Sequence, residues 1–124
     1  MTPQSPSIHH LSLIVADTAL ALQFYVGILG LKVDSQRPNL GFPGAWLQVG
    51  EQQIHLLQLP NPDPLTGRPE HGGRDRHLAL TVADLQSLQQ RFDEHAVVYT
   101  QSRSGRRAIF CRDPDGNAIE LIER

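Results

Sequence analysis

Four ionisable side chains, His10, His55, His77 and Glu120, stand at matching points of an internal repeat. Residues 10–17 (HLSLIVAD) return as residues 77–84 (HLALTVAD), with six of the eight positions identical. Further along, Ile54-His55-Leu56-Leu57 is answered by Ile119-Glu120-Leu121-Ile122. The interval between the two ionisable positions is 45 residues in the first copy and 43 in the second. Each copy therefore carries one ligand-type side chain early and one late. If the copies pair about a pseudo-twofold axis, the four converge on one point as three imidazoles and a carboxylate. That donor set suits a borderline divalent ion such as Zn, Ni, Fe, Co or Mn. Taken singly, each histidine also fits a hydrogen-bonded structural role, and only their placement in the repeat favours ligation. A core of His10, His77 and Glu120 suffices if water takes the fourth position. The remaining histidines read as structural or solvated: His9 alternates to the other face from His10, His71 lies in a linker, and His95 at a helix end.

The elements that must position these groups follow from period and punctuation. Leu11, Leu13 and Val15, like Leu78, Leu80 and Val82, alternate as one face of a strand, which leaves His10, Ser12 and Ile14, or His77, Ala79 and Thr81, on the other. Alternation also sets His55 opposite Ile54 and Leu56, and Glu120 opposite Ile119 and Leu121, so each ionisable group leaves the apolar side of its strand. A buried carboxylate is costly unless paired or metal-bound, because its charge loses hydration. Asp17 and Asp84 suit helix N-caps, which predicts helices over 18–29 and 85–95, with Gly30 as a left-handed stop. Strands are expected at 32–36, 45–49 and 53–58, then at 97–101, 107–112 and 118–123. Each copy thus reads βαβββ. Asp113-Pro114-Asp115-Gly116 forms a tight turn that delivers the last strand and aims Glu120.

Residues 60–75 hold four prolines and three glycines, which deny the backbone both helix and ladder. This stretch reads as a linker, either a passive connector or a loop over the site mouth. The expectation is one domain over 1–124, with modules at about 8–59 and 76–123.

Composition bounds the partners. Of the residues, 40% are hydrophobic and 19% charged, the net charge is −2, and apart from the short 103–107 stretch the 11 basic residues are scattered. No broad basic face exists for nucleic acid. No apolar stretch approaches the roughly 20 residues of a membrane span, and residues 1–7 lack the pattern of a signal peptide, so a cytoplasmic protein is expected. Cys111, the one cysteine, sits in an apolar run and reads as a buried, inert thiol. Trp46 and Gln48 share a face and would line a cavity or, for Trp46, pack in the core. Arg74 and Arg76 are solvated linker charges or an attraction for an anionic substrate.

The pattern His-x-x-Leu-x-Val-x-Asp, its repeat from His77, and the ending Asp113-Pro114-Asp115-Gly116 through Ile119-Glu120-Leu121 resemble the vicinal oxygen chelate superfamily of glyoxalases, bleomycin-resistance proteins and extradiol dioxygenases. The resemblance spans about residues 8–123. It implies an α+β fold of two paired βαβββ modules, whose curved mixed sheets form a metal-binding cup, and a homodimer whose partner chain completes it. Two open, curved sheets in a chain of this length also leave edges that need covering. By resemblance, the metal positions fall on His10, His55, His77 and Glu120, with Glu120 as candidate base. His55 stands where glyoxalase I-like members often carry glutamate or glutamine-type chemistry, a departure from that branch. The implied activity is a metal-dependent lyase or isomerase acting on a small oxygenated or thiol-conjugated substrate through an enediolate-like species. The alternatives are an Fe(II) extradiol-type dioxygenase, a thiol transferase, and a metal-free drug-binding protein; the last would lack the ligand set present here.

Overall fold

The computed structural model describes residues 4–124; residues 1–3, part of the stretch read for a leader, lie outside it. Both copies fold as βαβββ. The first comprises β1 (His10–Val15), a helix α1 (Thr18–Leu22) that widens into π-helical turns (Gln23–Ile28), β2 (Lys32–Asp34), β3 (Gly44–Val49) and β4 (Gln52–Gln58). The second comprises β5 (His77–Val82), α2 (Leu85–Glu94), β6 (Tyr99–Gln101), β7 (Ala108–Arg112) and β8 (Ala118–Glu123). Each module makes a four-stranded mixed sheet, in the orders β1-β4-β3-β2 and β5-β8-β7-β6. In both, the first strand lies parallel to the last because a helix crosses between them, and the last three strands run antiparallel.

Both expected N-caps form. Asp17 accepts from the Leu20 amide at 3.1 Å and Asp84 from the Ser87 amide at 3.1 Å. Gly30 holds φ at 81° after the first helix, as its missing Cβ allows. The observed helix differs from a uniform α-helix over 18–29. From Gln23 it widens, with the Leu29 amide donating to the Phe24 carbonyl at 3.0 Å. This widening accompanies burial of the adjacent Phe24 and Tyr25, whose rings meet edge to face. Tertiary contact there overrides a sequence period that favours α. The strands expected at 32–36 and 97–101 shorten to three residues each, since their ends have no ladder partner.

Alternation sorts the side chains as expected. Val15, Ala45, Leu47, Ile54 and Leu56 of the first sheet join Ile109, Ile119 and Leu121 of the second, with Phe24, Tyr25, Leu85, Leu88 and Phe92 from the helices, in one buried cluster. The opposite face of each sheet is left for His10, Trp46, His55, Phe110 and Glu120.

One polar device joins the modules, and a second ties the linker to the second module. The Tyr25 hydroxyl donates to Asp113 Oδ2 at 2.6 Å, and the same carboxylate accepts from the Asp115 and Asn117 amides at 2.9 Å and from Asn117 Nδ2 at 2.9 Å. Asp113 is 5% exposed and fully partnered, so it fixes the turn before β8 onto the first module's helix. The linker is pinned as well. Arg68 grips Asp75 through Nε and Nη2 at 2.9 and 2.8 Å, while Arg112 reaches Asp75, the Gly116 carbonyl and the Pro69 carbonyl. These partners, Arg68 first, hold the Asp75 carboxyl well below the usual carboxylate range.

Two outcomes follow for stability. Tyr25→Phe removes one buried hydroxyl from Asp113 and should cost about 1–3 kcal/mol in urea unfolding; a loss below a few tenths would mean the hydroxyl is not coupling the modules. Because the Asp75 carboxyl ionises more readily folded than its ordinary value of 3.8, its contribution is present above that pH and lost as pH falls below it. Asp75→Asn should therefore destabilise at pH 7, and the gap from the unsubstituted chain should narrow below pH 4. A constant gap across that range would contradict the ion-pair origin.

Candidate functional site

Within each module the two ligand-type residues are brought together by the same register. In the parallel pair β1–β4, His55 lies opposite Ser12, two residues past His10; in β5–β8, Glu120 lies opposite Ala79, two residues past His77. Since residues two apart share a face, each early histidine stands beside its late partner. The repeat seen in the sequence is thus a repeat of geometry.

The second pair has the form of half a metal site. The Asp75 carbonyl accepts a hydrogen bond from His77 Nδ1 at 2.9 Å, which keeps the proton of the neutral ring on Nδ1 and leaves Nε2 with a free lone pair. That nitrogen faces Glu120 Oε1 at 3.5 Å. The separation exceeds that of a charge-assisted hydrogen bond, and it matches two ligands about 2.0–2.1 Å from one tetrahedral ion, which stand roughly 3.3 Å apart. Glu120 is 3% exposed, yet among the described residues its only other cationic contact is Arg106 Nη2 at 3.4 Å. A buried carboxylate with two long contacts is poorly compensated by the protein alone.

The first pair is arranged differently. The His55 ring lies between His10, at 3.9 Å between centroids and 15°, and Trp46, at 4.4 Å and 7°. His55 Nε2 bonds Gln53 Oε1 at 2.8 Å, and Gln53 Nε2 donates to Asp34 Oδ2 at 2.7 Å. A ligated ion lies near the plane of its imidazole, so two stacked rings cannot both address it as they stand; one must turn. Burial, and next the neighbouring His10, lower the pKa of His55, which keeps the ring neutral and its lone pair available. Trp46 stacks on this ring rather than lining the core. His9 does not point away from His10: it lies outside β1, free of the alternation, and its Nδ1 sits 2.9 Å from His10 Nδ1.

The two pairs stay separate within one chain. Among the described residues no three His, Cys, Asp or Glu side chains are placed to hold one ion. His10 and His77 nevertheless line one cavity of about 1030 Å³ bordered by the edge strands β1 and β5. The donors fit a borderline divalent ion in type and tautomer, and they are offered as two half-sites.

His71, expected to be solvated, is a residue the sequence reading missed. Its Nδ1 bonds Thr100 Oγ1 at 2.7 Å, its ring packs on Phe110, and it lines a cavity of about 340 Å³ together with His77 and Glu120. The adjacent glycines explain how the linker descends so far. A Cβ on Gly72 would meet Ala118 at 3.3 Å, and one on Gly73 would stand 2.8 Å from His71 Nε2. The His71-Gly72-Gly73 run was the available signal, because paired glycines mark close backbone approach. The linker is therefore a part of the cavity wall. Cys111 is 3% exposed with its thiol pushed up to about 12 by burial, as expected of an inert core residue.

Comparison with known proteins agrees with the fold. The profile of the Glyoxalase/Bleomycin resistance protein/Dioxygenase superfamily matches residues 7–121. The chain is similar to the protein YwkD of Bacillus subtilis (strain 168), at 34% identity over 95% of this chain and 97% of that one. It is also similar to Glyoxylase I 4 of Arabidopsis thaliana, at 28% identity over 93% of this chain and 69% of the relative. The crystal structure of a glyoxalase family protein from Bacillus anthracis superposes with a TM-score of 0.78 over 100% of this chain and 99% of that one, at 22% identity. Repeat, topology and profile together place the chain in the glyoxalase, bleomycin resistance protein and dioxygenase superfamily.

Proposed function

We propose that this chain is a metal-dependent lyase or isomerase of the glyoxalase type, acting on a small oxygenated or thiol-conjugated substrate. One divalent ion would be held by His77 and Glu120 of one chain, with His10 and His55 from the matching half-site of a second copy. The observation that carries the reading is the His77 Nε2 to Glu120 Oε1 separation of 3.5 Å with His77 Nδ1 committed to a backbone carbonyl. The identity of the Arabidopsis relative as a glyoxylase supports the reaction type. Among the described residues the two donor pairs stand apart within one chain, which favours completion across a homodimer.

When bound, the ion supplies Lewis-acid polarisation to neighbouring substrate oxygens. The remaining chemistry falls to the chain itself. Glu120, desolvated on β8, is placed to take a proton from the substrate carbon beside those oxygens and return it to the next. Phe110 closes one side of the cavity and excludes water. Asp75 serves twice, its carbonyl fixing the His77 tautomer and its carboxylate anchoring the linker to Arg68 and Arg112.

Metal analysis of protein purified without chelator or a nickel column should find a bound divalent ion, with loss of His10, His77 or Glu120 lowering its content. Glu120→Gln keeps size but loses charge and basicity, so turnover of a thiol-conjugated substrate should fall roughly 100-fold or more, the scale of a general-base contribution. His55→Ala should be the mildest change at the metal. If Glu120→Gln leaves ligand affinity and metal content unchanged, and no glyoxalase, dioxygenase or thiol-transfer substrate turns over, the carboxylate is structural and a ligand-sequestering role replaces the enzymatic one. Sedimentation should give a dimer at micromolar concentration; a monomer that binds metal fully would overturn the shared-site arrangement.

A further inference from the structure

The β6–β7 loop stands at the Glu120 end of the second module, and with the linker it lines the open cavity of about 340 Å³. Three arginines line that cavity, Arg74 from the linker and Arg103 and Arg106 from the loop, against a single carboxylate, Glu120. Their pairing sets them apart from their neighbours. Arg68 and Arg112 share the carboxylate of Asp75, Arg76 pairs with Asp63, and Arg107 with Glu123. Among the described residues, Arg74 and Arg103 have no carboxylate partner, and Arg106 has only the 3.4 Å contact to Glu120 that a bound cation would compete for. The loop also holds Arg106 in place. Its Nε donates to Ser104 Oγ at 3.1 Å, and Ser104 Oγ lies 2.8 Å from Ser102 Oγ. Ser102 and Ser104 line the same cavity and add hydroxyl donors to its wall.

Unpaired guanidiniums around one small, open cavity attract an anion, and their planar donors match the oxygens of a carboxylate or phosphoryl group. We propose that Arg74, Arg103 and Arg106 form an oxyanion subsite, so that the substrate of this site carries a carboxylate, phosphate or phosphonate group beside the atoms on which Glu120 acts. The proposal rests on the functional reading above and adds the substrate's charge to it. It also assigns Arg106 two positions, on Glu120 in the unloaded chain and on the substrate anion once Glu120 turns to a cation.

The test uses the full chain, freed of metal by chelator and dialysed, titrated at constant ionic strength with inorganic phosphate and, separately, with malonate, and followed by calorimetry and amide NMR. Saturable binding is expected, with shifts concentrated at residues 71–74 and 102–106. The double variant Arg74→Gln/Arg103→Gln should bind roughly tenfold or more weakly, about the worth of one charge-assisted hydrogen bond. Each single variant should be intermediate, and Arg91→Gln, on the exposed side of α2, should match the unsubstituted chain. Preference for phosphate assigns a phosphoryl or phosphonyl substrate, and preference for malonate a carboxylate. No saturable binding of either probe, or equal binding by the double variant, overturns the subsite. Because these titrations contain no metal, a failure of the metal-site reading would leave their outcome intact, and the converse holds for metal analysis.

Discussion

The arrangement turns on one buried negative charge. Glu120 lies 3% exposed on a strand whose neighbours Ala118, Ile119 and Leu121 are all buried, so its carboxylate has given up nearly all its hydration. Among the described residues it receives two long contacts in return, from His77 and from Arg106. A group of this kind persists where another charge compensates it or where its protonation changes. Much of the second module serves to keep the compensating groups near. Asp75 sets the His77 tautomer, Arg68 and Arg112 hold Asp75, and the glycine pair lets the linker reach the sheet.

The two half-sites answer the same geometric instruction with different chemistry. Identical register gives a histidine beside a late donor in each module, yet Glu120 is buried and His55 is half-buried in a ring stack. A neutral imidazole between aromatic faces loses little on burial, whereas a carboxylate in the same position would lose a great deal. The first half-site therefore supports itself without an ion, through His10, Trp46 and the Gln53–Asp34 chain. The second is left wanting a cation. This asymmetry makes Glu120 and His77 the more demanding half of the donor set.

Much of this was legible in the sequence because it depends on local rules. Period-2 alternation placed β1, β3, β4, β5, β7 and β8, aspartate caps started both helices, and the repeat singled out His10, His55, His77 and Glu120 as candidate donors before any contact was known. What escaped depends on tertiary contact. The widening of the first helix at Gln23 has no local breaker except Gly27, and it accompanies burial of Tyr25 against a turn 88 residues away. His71 reads as a solvated linker residue until Gly72 and Gly73 bring it onto Phe110. Strand ends at 35–36 and 97–98 have strand-like sequence but no partner to pair with.

Separation of the donors within one chain follows from the same topology. Each pair is tied to its own sheet by the parallel first and last strands, and the sheets are joined through their helices and the Tyr25–Asp113 contact rather than by a ladder between β1 and β5. Both edge strands keep unpaired backbone groups along the cavity that His10 and His77 share. An exposed edge is a template for another strand or a surface to be covered. In the proposed shared-site dimer, a second copy placed against these edges would cover them and bring an early histidine from one chain toward the late carboxylate of the other, so the contact that protects the sheet edges would also assemble the donor set.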